Sequence, residues 1–300
     1  MIGINHLGKR YERLANQMFQ YAAIKGISKN RGFTYCIPPS GFKDINDEWT
    51  EHQLFNTFHL KSLSELQIQF IDTNVHPYVS EKHYHFDEEL FNNCPEWASL
   101  VGFFQSEKYF LNVRDELLED FTFKDGLDGI AQDAIKDIDN PIALHIRRSD
   151  YAKYAHHPIQ PLSYYEEALK QFDDDRNVII FSDDPKWCHE QSLSYYEEAL
   201  SRFDNNRNVI IFSDDPKWCH EQSLFSDDRF LVSENDHLLD LSMMRLCSDF
   251  IIANSSFSWW GAWMSTNQNK KVIAPKQWFG HPLDKQNDTK DLYCPDWILI

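Results

Sequence analysis

Positive charge is scarce in this sequence. Lysine and arginine number 29 against 47 aspartates and glutamates, a net charge of −18 over 300 residues. Nucleic-acid binders carry a basic face, and no basic stripe is present, so nucleic acid is not expected as a partner. A negative surface is also repelled by anionic lipid. No uncharged run reaches the roughly 18 apolar residues of a membrane span. The first residues lack the basic segment and apolar run of a secretory leader. None of the six cysteines forms a CxxC pair, which speaks against zinc and for a reducing compartment. The expectation is a cytoplasmic chain with no transmembrane segment, at most peripheral at the inner membrane face. Two glycine loops that cradle phosphates, GxxxxGK[ST] and GxGxxG, are missing as well. His83 and His85 are spaced for a metal, but nothing nearby in sequence completes a site.

What is there is globular: 42% hydrophobic and 15% aromatic residues, enough chain for about two domains. The stretch from Pro141 to Tyr151 stands out. Ile142, Leu144 and Ile146 alternate with Ala143, His145 and Arg147, which reads as a buried strand entering a loop. The strand ends in Arg147 and Arg148, two adjacent fixed positive charges in an acidic chain. Ligands of open α/β sheets bind outside the carboxyl ends of strands. A guanidinium grips phosphate with two parallel hydrogen bonds. A salt-bridged surface pair is the alternative reading of the two arginines.

Spacing predicts a helix over 13–29, a strand over 32–38, and helices over 107–123 and 128–138. The domain boundary is placed near 138, giving domains 1–138 and 139–300. A further buried strand, 250–253, runs into Asn254, Ser255 and Ser256 and then a tryptophan-rich helix, 257–264. A small polar turn at a helix start offers free N–H groups to an anion. Another strand ends near Pro275.

Residues 162–192 recur as 193–223. The two 31-residue copies differ only at Lys170/Ser201, Gln171/Arg202, Asp174/Asn205 and Asp175/Asn206. Two copies do not make a solenoid. Each copy reads as helix, buried parallel strand and short helix. Ser163 to Glu166 has the capping-box form. The strand of the first copy ends in Ser182-Asp183-Asp184, that of the second in Ser213-Asp214-Asp215. An extra unit either extends the sheet or packs outside it, and one copy alone can occupy a given place at a ligand site. Three strand ends thus bring together His145, Arg147, Arg148 and Asp150, one of Asp183 and Asp214, and Asn254, Ser255 and Ser256. Arginines and helix N–H groups suit a diphosphate, and a carboxylate suits the N–H edge of guanine.

These segments, with Asn16-Gln17-Met18-Phe19-Gln20-Tyr21-Ala22, resemble the bacterial α-1,2-fucosyltransferases of glycosyltransferase family 11. The resemblance spans nearly the whole chain. It is most specific at His145–Tyr151 and at Asn254–Trp263. It implies a GT-B architecture of two Rossmann-like domains facing a cleft, the first for a β-galactoside acceptor and the second for GDP-β-L-fucose. It also implies an inverting transfer with no required metal or other cofactor. Arg147 would hold the diphosphate, His145 and one of the two aspartates would lie near the guanosine, and Ser255 and Ser256 near the phosphates. Asp150 is the candidate base. A degenerate nucleotide-sugar binder and a transferase using another GDP-sugar are the alternatives. Two departures stand out: the repeat, and Glu12-Arg13-Leu14-Ala15 where the family carries glycines.

Overall fold

A computed structural model describes residues 1–8, 13–43, 49–50, 52–148, 151–153, 155–173, 176–182, 209–212, 230–233 and 237–300. The chain forms two compact units. The first comprises Met1–Asp125 and Gln286–Pro295, the second Gly126–Lys285 and Asp296–Ile300. Each is built on a parallel sheet with helices, as the two Rossmann-like domains of the expected α/β class require.

The first unit runs β1 (Ile2–Gly3), α1 (Leu14–Arg31), β2 (Tyr35–Cys36), β3 (Phe42–Lys43), β4 (Trp49–Thr50), α2 (Gln53–Thr57), β5 (Tyr78–Ser80), α3 (Glu88–Asn93), β6 (Ala98–Val101) and α4 (Arg114–Asp120). Its sheet has the order β2-β1-β6-β5, all parallel. Met18, Phe19, Tyr21 and Ala22 of α1 are fully buried. Gly32 ends this helix at φ 68°, donating its N–H back to Lys29 and Ser28 carbonyls, the left-handed stop that glycine allows. The strand expected over 32–38 shortens to β2.

The helix expected over 107–123 is broken. Two single 3₁₀ turns, Glu107–Tyr109 and Leu111–Val113, precede α4. The cause is a close approach. A Cβ on Gly26 of α1 would stand 2.0 Å from the Tyr109 carbonyl oxygen and 2.7 Å from Phe110 Cα. Backbone there is pressed against α1, with Tyr109 and Phe110 buried, and Phe110 leaves the helical region at φ −141°, ψ 8°.

The second unit runs α5 (Leu127–Ile135), β7 (Ile142–Ile146), α6 (Leu162–Leu169), β8 (Val178–Ser182), β9 (Val209–Phe212), β10 (Phe230–Ser233), α7 (His237–Met244), β11 (Asp249–Ile251), α8 (Ser256–Met264), β12 (Val272–Ala274), α9 (Leu283–Gln286) and β13 (Ile298–Leu299). The units part at residue 125 rather than near 138. Helix α5 belongs with the second unit because Asp128 accepts from Ser242 Oγ at 2.7 Å and pairs with Arg245 at 2.6 Å. Near the C-terminus, Asp291 returns to the first unit through Lys108 at 2.6 Å. The capping box expected at Ser163 does not form. Pro161 takes the N-cap position, two residues before Ser163, and α6 begins at Leu162.

The seven strands are all parallel, in the order β10-β9-β8-β7-β11-β12-β13. β7 is buried along its whole length, which is why its sequence is nearly continuous in apolar residues. It shares a core with Tyr164, Tyr165 and Ala168 of α6 and with Ile251 and Ile273. From β7 the chain winds outward to β10, then returns to lay β11 on the other side of β7. The strand order therefore reverses between β7 and β11, the place where open α/β sheets form a crevice.

Candidate functional site

That reversal point carries the residues singled out in the sequence. β7 and β11 pair with Ile142 level with Asp249 and Leu144 with Ile251. Arg147 follows the last residue of β7 directly, and Asn254 stands three residues past the end of β11. Arg147 is half-buried, and its guanidinium lies 5.3 Å over the ring of Tyr151. Tyr151 Oη donates to the Asn254 carbonyl at 3.0 Å. The two motifs are thus joined through one aromatic ring. Tyr151 also stacks on His157 at 4.7 Å, and His157 meets Phe279 at 6.0 Å. A row of rings beneath a guanidinium holds it by cation–π attraction.

Asn254 is buried. Its Nδ2 donates to the carbonyls of Pro158 and Trp278, each at 3.0 Å, while its Oδ1 has no hydrogen-bond partner. Gly280 keeps this wall close: a Cβ there would lie 2.3 Å from the Ala155 carbonyl oxygen. Ser255 is the N-cap of α8 and is buried, and Ser256 opens the first turn, half-exposed. The first N–H groups of a helix have no intrahelical acceptor, and the helix dipole adds partial positive charge. Trp259, Trp260 and Trp263 of α8 are buried core, as their spacing indicates.

Charge is distributed differently from the sequence expectation. His145 is buried, its Nδ1 has no partner, and its ring lies 5.7 Å from that of Phe257 on α8. Burial, and secondarily the Arg147 charge, hold its pKa at about 3. It is a neutral imidazole at physiological pH, with no positive charge for an anion. Arg148 is only 8% exposed. Arg147 is therefore the cation of this strand end that retains surface. Asp150, Asp183 and Asp214 lie outside the described residues. Tyr151 and Phe257 lie inside the two motif stretches, but the sequence assigned no role to them or to His157, because those roles come from ring-to-ring contact across loops, which has no period in the chain.

The carboxyl edge of the first unit is polar too. Gln20 Nε2 donates to the Gly102 carbonyl at 3.1 Å and lies 3.4 Å from His6 Nε2. Gln105 Nε2 donates to Asn16 Oδ1 at 2.9 Å, and Tyr84 Oη donates to Gln105 Oε1. Leu14 and Ala15, which stand where glycines were expected, are turned into the core at 3% and 6% exposure. His83 and His85 stack at 4.7 Å. Among the described residues no group of three or more His, Cys, Asp or Glu side chains is placed to hold a metal. No helix among them is long and apolar enough to cross a membrane.

Glu81, beside this edge, accepts from the N–H groups of Phe103 and Phe104 and from Tyr109 Oη. Burial nonetheless raises its pKa to about 7 from 4.5. Between those values the folded carboxyl keeps a proton that the unfolded chain has released. Its contribution therefore falls as pH rises from 4.5 to 7, by on the order of 3 kcal/mol. Glu81→Gln is expected to flatten that part of the melting temperature–pH curve. An unchanged curve would remove Glu81 as its cause.

The site is a half-buried arginine and a helix N-terminus, linked through Tyr151, at the strand reversal of a parallel α/β sheet. The chain belongs to glycosyl transferase family 11, whose model matches residues 8–194 and 192–300, and it is a glycosyltransferase. The two matched stretches meet where the first repeat copy ends and the second begins. The chain is 31% identical, over 96% of both chains, to an α-1,2-colitosyltransferase of Escherichia coli. It is 27% identical, over 96% of its length and 97% of the relative's, to the O-antigen biosynthesis glycosyltransferase WbnK of the same organism. It is also 25% identical to galactoside α-(1,2)-fucosyltransferase 2 of Hylobates lar, over 62% of this chain and 54% of that one.

Proposed function

We propose that this glycosyltransferase moves L-fucose from GDP-β-L-fucose to the 2-hydroxyl of a β-galactoside, with inversion, in the synthesis of a surface glycan. The observation that carries the reading is the Arg147–Tyr151–Asn254 chain of contacts at the β7/β11 reversal. In an acidic protein, this point offers a guanidinium and a helix N-terminus together. That pair suits the diphosphate of an activated sugar. As the sugar–oxygen bond breaks, negative charge grows on the departing GDP, and a fixed guanidinium stabilises it without reorganising. Neutral His145 and the Asn254 Oδ1 atom supply uncharged polar contacts. Asp183 is the candidate partner for guanine N–H groups, and Asp150 for the base that takes the acceptor proton. The second unit is then the donor side, and the first unit, with its amide and imidazole edge, the acceptor side.

A second reading is favoured by the 31% identical colitosyltransferase: the same linkage made from a colitosyl donor. Colitose lacks a hydroxyl that fucose has, so the pyrophosphate grip is common to both and only the sugar pocket decides. The test is thermal stabilisation by GDP, followed by transfer assays pairing GDP-fucose, GDP-colitose and GDP-mannose with a panel of β-galactosides. Fucose transfer to a galactosyl 2-hydroxyl is the expected result. Transfer of colitose alone would select the second reading. Neither stabilisation nor transfer would end both.

A further inference from the structure

The two repeat copies do not share one place in the fold. β8, from the first copy, lies against β7, with Ile142 level with Val178 and Ile146 with Ser182. β9, from the second copy, lies on the far side of β8. There it pairs residue for residue with its own duplicate: Ile179 with Ile210, Ile180 with Ile211 and Phe181 with Phe212. β10 follows, pairing with β9 so that Phe230 is level with Val209 and Ser233 with Phe212.

The four differences between the copies all precede the strand. From Arg176 to Ser192 and from Arg207 to Ser223 the copies are identical. Strand-end chemistry is therefore the same in both, and position alone decides which one meets a ligand at Arg147. Neighbouring strands lie about 4.8 Å apart, so the β8 end is one spacing from β7 and the β9 end roughly 10 Å away. The inserted strand also leaves the pairing on either side intact. β10 meets an edge built from the same sequence that β8 would offer in its absence.

We propose that the first copy serves the site and that the second is an insert, widening the sheet by one strand, which the site neither uses nor needs. The first half of this rests on reading the β7/β11 reversal as the GDP site. It assigns Ser182, not Ser213, to the wall beside Arg147, and makes the first copy the specificity-bearing one.

The test removes residues 193–223. Ser192 then joins Leu224, preserving on both sides the local sequence that Ser223 and Leu224 have now. The shortened chain is expected to melt cooperatively, within about 5 °C of the intact chain. It should bind GDP within about threefold of the intact affinity. In the intact chain, Ser182→Tyr is expected to weaken GDP by roughly tenfold or more, and Ser213→Tyr by less than about threefold. A shortened chain that no longer melts cooperatively would overturn the proposal. So would one that folds but binds GDP more than about tenfold worse, or a reversed order of the two tyrosine variants. If the intact chain binds no GDP, the donor reading fails by itself, and the melt of the shortened chain still decides whether the second copy is dispensable.

Discussion

Arg147→Ala is expected to lower the turnover number by about 10²–10³-fold, the usual cost of removing one preorganised donor to a developing anion. The melting temperature should stay within a few degrees. The side chain is half-buried, and its removal uncovers the Tyr151 ring without opening the strand ladder. Arg147→Lys should recover little of the lost rate. A lysine supplies charge, but neither the planar fork that meets two phosphate oxygens nor a face that lies flat on a tyrosine ring. Steady-state transfer assays beside thermal melts separate the two effects. A rate loss under about tenfold with an unchanged melt would mean that the anion is held elsewhere.

The largest loss of stability is expected from Asp120→Ala, in the first unit. Asp120 is fully buried. Its carboxylate accepts from Lys25 Nζ at 2.6 Å, Tyr21 Oη at 2.8 Å, Ser62 N at 2.7 Å and Ser62 Oγ at 2.6 Å. The Lys25 side chain is itself 4% exposed, with Glu116 at 3.3 Å as its other anionic neighbour. Truncating Asp120 strips Lys25 of its buried partner and leaves two hydroxyls and an N–H to find new acceptors. Breaking a buried pair in this way costs about 3–5 kcal/mol. For a unit of this size that is a fall of roughly 10–20 °C in melting temperature. Replacing both charges, Lys25→Met with Asp120→Leu, should recover much of the loss, because no buried charge is then left alone. Thermal or urea melts of the three variants check this. A single variant as stable as the double would mean that water reaches Lys25.

The sequence disclosed β7, β11, the helix after Asn254 and the repeat, because each is carried by local periodicity or by identity of residues. The mouth of β7 was legible because two arginines at the end of an apolar strand are at odds with an acidic chain. What is settled by distant contact was not legible. Tyr151 closes the His145–Tyr151 motif, yet nothing in the motif tells that its ring carries the link to Asn254. His145 and Arg148 look like cations in the sequence, but burial leaves the first neutral and hides the second. The break at Phe110 follows from a glycine 84 positions earlier, Gly26, which no window along the chain connects to it. The repeat showed that a strand was duplicated. Only the pairing of Phe181 with Phe212 showed where the second strand went.

The grip on pyrophosphate is measured most directly by comparing guanosine diphosphate with guanosine monophosphate in titration calorimetry, on the intact chain and on Arg147→Ala. The account predicts that the diphosphate binds the intact chain at least about tenfold more tightly, a difference of roughly 1.4 kcal/mol. In the variant that advantage should shrink to near unity. Equal affinities in the intact chain, or an advantage that survives loss of the guanidinium, would contradict it.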